Sequence, residues 1–305
     1  MSRLTVVIVS WNVRELLASC LGSLLVDLER SRLEAAVLVV DNASADGTPE
    51  MVSDVFPDVD LIANEENLGF AAGNNLALRE ILGRKSQIPQ HVWLLNPDTE
   101  VRSGAAAELL SALDDDPSAG VAGAKLLYPD GSLQHSAFHF PGLAQLAFEL
   151  FPFPKRLHDS PLNGRYPHGL YQRQRPFPID HPLGASMMVR SEAIREVGVM
   201  DEGYRMYCEE IDWCWRMHEA GWGALCVPSA EVTHFAGQST SQAQITSFVE
   251  LWTSRARLYA RHHGDLTWLL ARAMVRLGIR RRMKNADREM VKACEDVIRA
   301  WENAR

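Results

Sequence analysis

The feature that most narrows what this chain can fold into is a repeated order of short apolar runs and helical stretches, each run closed by polar or acidic residues. Leu4 to Val9 is a nearly continuous β-branched run. Glu15 to Leu28 then sets Leu16, Leu17, Cys20, Leu21, Leu24 and Leu28 at helical spacing. Val37 to Val40 repeats the run and ends at Asp41. Asn42 to Gly47 is turn chemistry, and Thr48-Pro49 reads as an N-cap followed by proline at the first helical position. Val59 to Ala63 predicts a third strand, Asn64 to Gly69 a loop, Ala71 to Leu82 a helix, and Val92 to Leu95 a fourth strand before Asn96-Pro97-Asp98. Strands alternating with helices at this spacing imply βαβ units, a parallel sheet, and a ligand crevice at the carboxyl ends of the strands. Asp41 and Asp98 fall on that edge.

The second half is less regular. Val121 to Tyr128 and Leu133 to Phe140 flank Pro129-Asp130-Gly131, a hairpin-like turn signal. Eight of the 15 prolines lie between Pro141 and Pro182, which predicts a long irregular insertion of the kind that shapes a binding site. Ala185 to Val189 then reads as a strand, Glu192 to Val197 as a helix stopped by Gly198, and Ile211 to Ala220 as a helix stopped by Gly221. The expected architecture is therefore α/β: a Rossmann-like, mostly parallel sheet with helices on both faces over 1–240, and a helical, basic extension over 241–305.

Charge and cysteine usage exclude several classes. A formal net charge of −8 argues against a nucleic-acid binder, which needs a basic surplus to displace counterions from phosphate. The charge is uneven, because Arg255 to Lys292 holds 11 Lys/Arg against Asp265, Asp287 and Glu289. Within it, Leu266 to Lys284 mixes Trp268 and leucines with Arg272, Arg276 and Arg280-Arg281-Arg282. That composition fits a basic amphipathic helix on an anionic membrane surface, or equally a helix covering the domain with its arginine stems. Five cysteines without a Cys-x-x-Cys pair fit neither a disulfide framework nor a zinc ribbon, so a reducing compartment is expected. No secretory leader and no run of about 18 apolar residues is present, which implies a cytoplasmic protein, peripheral at most to the inner face of the cell membrane. A homo-oligomer stays open. Ser10-Trp11-Asn12 stands where a dinucleotide fold carries Gly-x-Gly-x-x-Gly, and no phosphate-loop Gly-x-x-x-x-Gly-Lys occurs.

Six segments in fixed order carry a family resemblance: Val-Ile-Val-Ser-Trp-Asn (7–12), Val-Val-Asp-Asn-Ala-Ser-Ala-Asp-Gly-Thr (39–48), Glu-Asn-Leu-Gly-Phe-Ala-Ala-Gly-Asn-Asn (66–75), Leu-Leu-Asn-Pro-Asp (94–98), Gly-Ala-Ser-Met-Met-Val-Arg (184–190), and the stretch from Met200 to Arg216 containing Glu209-Glu210-Ile211-Asp212. Over about residues 4 to 240 the chain resembles the inverting family 2 glycosyltransferases of GT-A type, in particular their rhamnosyltransferase-like branch. The resemblance implies metal-dependent transfer of a sugar, with L-rhamnose from dTDP-rhamnose as first choice, to a hydroxyl of a polysaccharide or lipid-linked glycan. It places Ser10, Asn12, Asp41, Asn67, Gly69, Phe70, Asn75, Asn96 and Gly184 along the sugar-nucleotide cleft, and makes 141–182 an acceptor-side insertion.

Asn96-Pro97-Asp98 stands at the family's Asp-x-Asp motif. Hard divalent cations want carboxylate oxygen, so Asp98 is the expected ligand for manganese or magnesium, while Asn96 departs from the pattern and adds no charge. His234 follows Glu210 at the distance where related enzymes carry a metal-binding histidine, and imidazole suits manganese better than magnesium. Glu210 occupies the family's general-base position. Asp212 is the alternative base, or else a partner of Arg216 one helical turn on. Two other classes remain in view: a sugar-phosphate nucleotidyltransferase, and a non-catalytic sugar-nucleotide-binding protein, for which Asn96 is the best argument.

Overall fold

In a computed structural model of the chain, residues 3–84, 88–154, 157–235, 244–284 and 286–305 are described. The first strands lie where the apolar runs predict them. β1 (Leu4–Ser10), β2 (Ala35–Asp41), β3 (Asp60–Ala63) and β4 (His91–Leu95) form a parallel sheet in the order β3-β2-β1-β4. The sheet continues through β11 (Ser186–Arg190), β6 (Ala119–Leu127), β12 (Gly223–His234) and β5 (Thr99–Val101). β11 runs antiparallel to both β4 and β6, whereas β12 runs parallel to β6. The short β7 (Leu133–Gln134) and β9 (Phe177–Ile179) edge this sheet, and β8 (Ala137–Phe138) pairs with β10 (His181–Pro182).

Because side chains alternate across a strand, each apolar run serves two cores. Leu4, Val6 and Ile8 of β1 pack with α1 (Arg14–Arg30), α2 (Thr48–Val55) and α4 (Ala105–Asp115). Val7 and Val9 pack on the other face with α3 (Phe70–Gly83), α7 (Ser191–Val197) and α8 (Glu209–Glu219). All five cysteines are buried and free.

Several elements differ from the sequence reading. α4, β5 and the 12-residue β12 were not expected. β12 escapes a periodicity search because its register shifts between Val227 and Glu231, which breaks the alternation of buried and exposed positions. Thr48 is not the N-cap of α2. The cap is Gly47, left-handed at φ 79°, and Asp46 accepts from both the N–H and the hydroxyl of Thr48. The hairpin is shorter than expected, with only two residues of β7 paired to β6. The insertion is not wholly irregular either, since it holds α5 (Leu143–Leu150) and the short α6 (His168–Tyr171).

Beyond the sheet, α9 (Gln244–His262), α10 (Asp265–Met283) and α11 (Arg288–Asn303) build a third core with α5. Trp268 and Trp301 stack there at 5.3 Å, and Gly278 of α10 sits so close to α5 that a Cβ would lie 2.7 Å from Leu150 Cδ2. The expected boundary at 240/241 falls outside the described residues.

Candidate functional site

The carboxyl edge of the parallel strands opens into a cavity of about 340 Å³. That volume lies within the range of small-molecule sites. Its floor comes from the ends of β1 and β4. Val9, Ser10 and Trp11 stand on one side and Asn96, Pro97 and Asp98 on the other, with Asn42 after β2 between the loops. Ser10 pairs with Asp41 across the β1-β2 ladder, and Asn42 N–H donates to Ser10 O at 2.8 Å. The Asn42 amide in turn donates to Gly69 O at 3.0 Å and accepts from Asn64 Nδ2 at 2.9 Å, which fixes the loop that carries Asn67, Gly69 and Phe70.

Gly69 is required by its surroundings. Its φ is +83°, a Cβ would stand 2.6 Å from Arg205 O, and Phe70 N–H donates to that same carbonyl at 3.1 Å. Asn67 accepts from Gly69 N–H at 2.9 Å. This loop is thereby pinned to the segment that leads into α8, joining two motifs more than a hundred residues apart in sequence.

A strand ladder brings Asp98 and His234 together. β12 ends with His234 paired to Thr99 of β5, so the residue before Thr99 meets the imidazole. Asp98 Oδ1 lies 3.4 Å from His234 Nε2, and both side chains are buried. His234 Nδ1 faces Gln134 Oε1 at 3.1 Å. A carbonyl oxygen only accepts, so Nδ1 is the donor in that contact and Nε2 is the ring atom turned toward Asp98. A carboxylate oxygen and an imidazole nitrogen converging at this distance form a donor pair that fits manganese chemistry. Among the described residues no cluster of three or more His, Cys, Asp or Glu is placed to hold a metal, so a cation held by this pair would need ligands from outside the protein. The Asn96 Oδ1 is buried and unpartnered, and its backbone N–H donates to Ala185 O at 2.9 Å.

The opposite wall is the start of α8 with Leu183, Gly184 and Ala185 beneath it. Glu210 is half-buried and lies over Gly184, where a Cβ would stand 3.5 Å from Glu210 Cγ. Its Oε2 is shielded from water and has no partner, and burial pushes its carboxyl up to about 7. Glu209, also on the wall, is raised well above the carboxylate range, first by burial and then by the Glu210 charge. Tyr207 and Cys208 precede them with φ of 70° and 68°. Two consecutive non-glycine residues in left-handed backbone are costly, and such strain gathers where a site must be held open.

Four predicted site residues stand elsewhere. Asp212 does not line the cavity: its carboxylate is fully enclosed, bound to Arg216 at 2.9 Å, His262 at 2.8 Å and Arg261 at 3.3 Å. Burial pushes it up, yet the hydrogen bonds from His262 and Arg216 outweigh that and hold it below its ordinary value. Asp212 thus ties α8 to α9, and the pairing with Arg216 is the alternative that the structure realises. Asn75 grips the Met200 backbone N–H and C=O and Glu202, a staple rather than a cleft residue. Asn12 and Asp41 brace the turn at Ser44-Ala45 behind the cavity wall, with Asp41 Oδ1 buried and unpartnered. Conversely, Trp11, Asn42, Met206, Tyr207 and Glu209 line the cavity without having been singled out, although Glu209 carried a signal as the acid beside the expected base.

Comparison with known proteins decides the family. The sequence profile of glycosyl transferase family 2 matches residues 5–198. The chain belongs to that family. This family 2 glycosyltransferase is 31% identical over 313 residues to an N-acetylglucosaminyl-diphospho-decaprenol L-rhamnosyltransferase of Mycobacterium tuberculosis, covering 92% of this chain and 97% of the relative. A low-salt glycan biosynthesis hexosyltransferase of Haloferax volcanii is 25% identical over 60% of this chain and 53% of its own length. Among solved structures, GalNAc-T7 with UDP, GalNAc and Mn2+ superposes with a TM-score of 0.61 at 16% identity, covering 97% of this chain. The chain spans 54% of that protein. A Pyrobaculum calidifontis mannosyltransferase with GDP-Man and Mn2+ superposes with a TM-score of 0.54 at 14% identity, covering 99% of this chain and 73% of the other. These likenesses establish the α/β GT-A fold of the glycosyltransferase.

Proposed function

We propose that this glycosyltransferase is metal-dependent and inverting, and that it moves L-rhamnose from a nucleoside diphosphate, with dTDP-rhamnose as first choice, to a lipid-linked glycan at the cytoplasmic face of a membrane. The observation that carries the chemistry is Glu210: an unpartnered carboxylate raised toward neutrality, on the wall of the same cavity as the Asp98 and His234 pair. The sugar and the acceptor class rest on the Mycobacterium tuberculosis relative.

In this reading Glu210 takes the proton of an acceptor hydroxyl, the oxygen forms a bond to the anomeric carbon, and the bond to the diphosphate oxygen breaks with its electron pair leaving on the nucleotide. Attack from the face opposite the leaving group inverts the centre, so no covalent enzyme intermediate is needed. Asp98 and His234 would hold manganese or magnesium, which neutralises charge on the departing diphosphate. Ser10 and Asn42 on the cavity floor would meet the nucleoside, Asn67, Gly69 and Phe70 border the cavity, and the buried acceptor atom of Asn96 is free for a ligand donor. Asp41 and Asn12 hold the turn behind them.

The test is turnover of purified protein against a panel of sugar nucleotides with manganese or magnesium, using an N-acetylglucosaminyl diphospholipid as acceptor. Nucleoside diphosphate release and glycan transfer are expected with dTDP-rhamnose, falling at least about a hundredfold in Asp98→Ala and Glu210→Gln. Wild-type rates in both variants would remove the mechanism. Faster turnover of another donor would replace the rhamnosyl assignment.

A further inference from the structure

The packing of α10 leaves one of its faces outward. Trp268, Ala271, Val275, Gly278 and Ile279 are buried within the third core. On the other side Leu266, Leu269, Leu270 and Leu277 are exposed by 73%, 58%, 46% and 63%. Nine large apolar side chains are exposed among the described residues, and these leucines are four of them, so the exposure is concentrated rather than scattered. At about 100° per residue, positions 266, 269, 270 and 277 share one half of the helix with Arg276, Arg280, Arg281 and Lys284. Those four cations are exposed and enter no ion pair among the described residues. The acid that opens the helix, Asp265, is taken by Arg305.

The order along the helix matters as well. Leu266, Leu269 and Leu270 occupy its first turns and Arg280, Arg281 and Lys284 its end, with Arg276 and Leu277 adjacent between them, so apolar and cationic groups share a single surface. A second copy of this chain would bring cation against cation with the helices parallel, or cations against leucines with them antiparallel. A surface that offers acyl chain and phosphate together satisfies both halves.

We infer that α10 is the membrane-docking element of this protein. Leu266, Leu269, Leu270 and Leu277 enter the boundary between headgroups and acyl chains of an anionic bilayer, and Arg276, Arg280, Arg281 and Lys284 pair with lipid phosphates. The inference deepens the lipid-linked acceptor reading by giving the enzyme a surface on which to meet that acceptor. It does not depend on which sugar is moved. α10 belongs to the bundle whose α9 residues Arg261 and His262 hold Asp212 of the base-bearing helix, so a docked α10 fixes the orientation of the catalytic domain.

The experiment is co-sedimentation of the full chain with vesicles of phosphatidylcholine alone and of phosphatidylcholine with about one third phosphatidylglycerol. Two variants accompany the wild type: Leu269→Gln with Leu277→Gln, and Arg276→Glu with Arg280→Glu. All four positions are exposed, and thermal unfolding checks that the variants fold. Wild type is expected to bind the anionic vesicles and to leave the neutral ones. Each variant should bind at least about tenfold more weakly, since each cation near an anionic surface contributes roughly fivefold. Hydrolysis of a water-soluble donor should be unchanged, so vesicle binding and activity report separately. Equal binding to both vesicle types, no binding to either, variants that bind as wild type does, or a dimer in solution that Leu269→Gln with Leu277→Gln dissolves would each overturn the inference.

Discussion

Glu210→Gln is expected to make the protein more stable while abolishing its activity, and the gain should depend on pH. The native carboxyl is raised from an ordinary 4.5 to about 7 by burial, and its Oε2 finds no partner. Between those two values the native state binds more protons than the unfolded chain. Stability is therefore lost as pH rises through that window, and the loss is complete above it. At about 1.4 kcal/mol per unit, the difference between 4.5 and about 7 sets a ceiling on the order of 3 kcal/mol for the cost of ionising Glu210 in the folded protein. Glutamine keeps the shape without the charge, so at pH 8 the variant should unfold roughly 5 °C higher than wild type. Below pH 4.5, where both states hold the proton, the two should converge. Thermal unfolding in a metal chelator without donor measures this directly. The same group sets the rate: wild-type turnover should rise with pH to a plateau above about 7 and fall about tenfold by one unit below it, as the ionised fraction of the base falls. A Glu210→Gln protein no more stable than wild type at pH 8, or an activity profile flat between pH 5.5 and 8, would refute the reasoning.

Three further outcomes follow from the geometry. With donor and manganese present, wild type should gain thermal stability that Asp98→Asn and His234→Ala lack, because a ligand stabilises only the state that binds it; equal gains in all three proteins would move the cation elsewhere. Asp212→Asn should cost about 3 to 5 kcal/mol by leaving Arg216, His262 and Arg261 facing a neutral group, and urea titration will show a minor change if the cluster is not a structural tie. Gly69→Ala should both destabilise the protein and lower kcat, because the methyl group meets Arg205 O and α8 must shift with it; a change confined to donor KM would contradict that coupling.

The first half of the fold was legible because buried parallel strands are continuous β-branched runs, and Leu4 to Val9 or Val37 to Val40 can be little else. β12 was not, since Pro228, Ser229 and Glu231 interrupt it where it bulges, and only the neighbouring strand β6 explains the stretch. For the site, the motifs delivered Glu210, Asp98 and His234, which meet at one cavity although strand pairing alone makes the latter two neighbours. Motif membership did not separate contact from support. Asn75 and Asp212 are polar residues inside the right segments, yet their side chains hold a loop and a helix, and that distinction appears only when their partners 125 and 50 residues away are in place. Tyr207 and Met206 line the cavity because of a left-handed turn that no residue preference announces.

The hydrogen bond from Asn96 N–H to Ala185 O joins the two ends of an 89-residue excursion (185 − 96) at 2.9 Å. Between them the chain adds β5 and β6 to the sheet and α4 to its core, and then carries the proline-rich segment and α5 before β11 returns beside β4. With both ends of that stretch held together, its proline-rich part, 141–182, is free to vary in length and content, in the way that a handle can be reshaped without moving the blade. Exchanging 141–182 for the matching segment of a relative should change which glycan is accepted while the nucleotide, the sugar and the inverting chemistry stay the same.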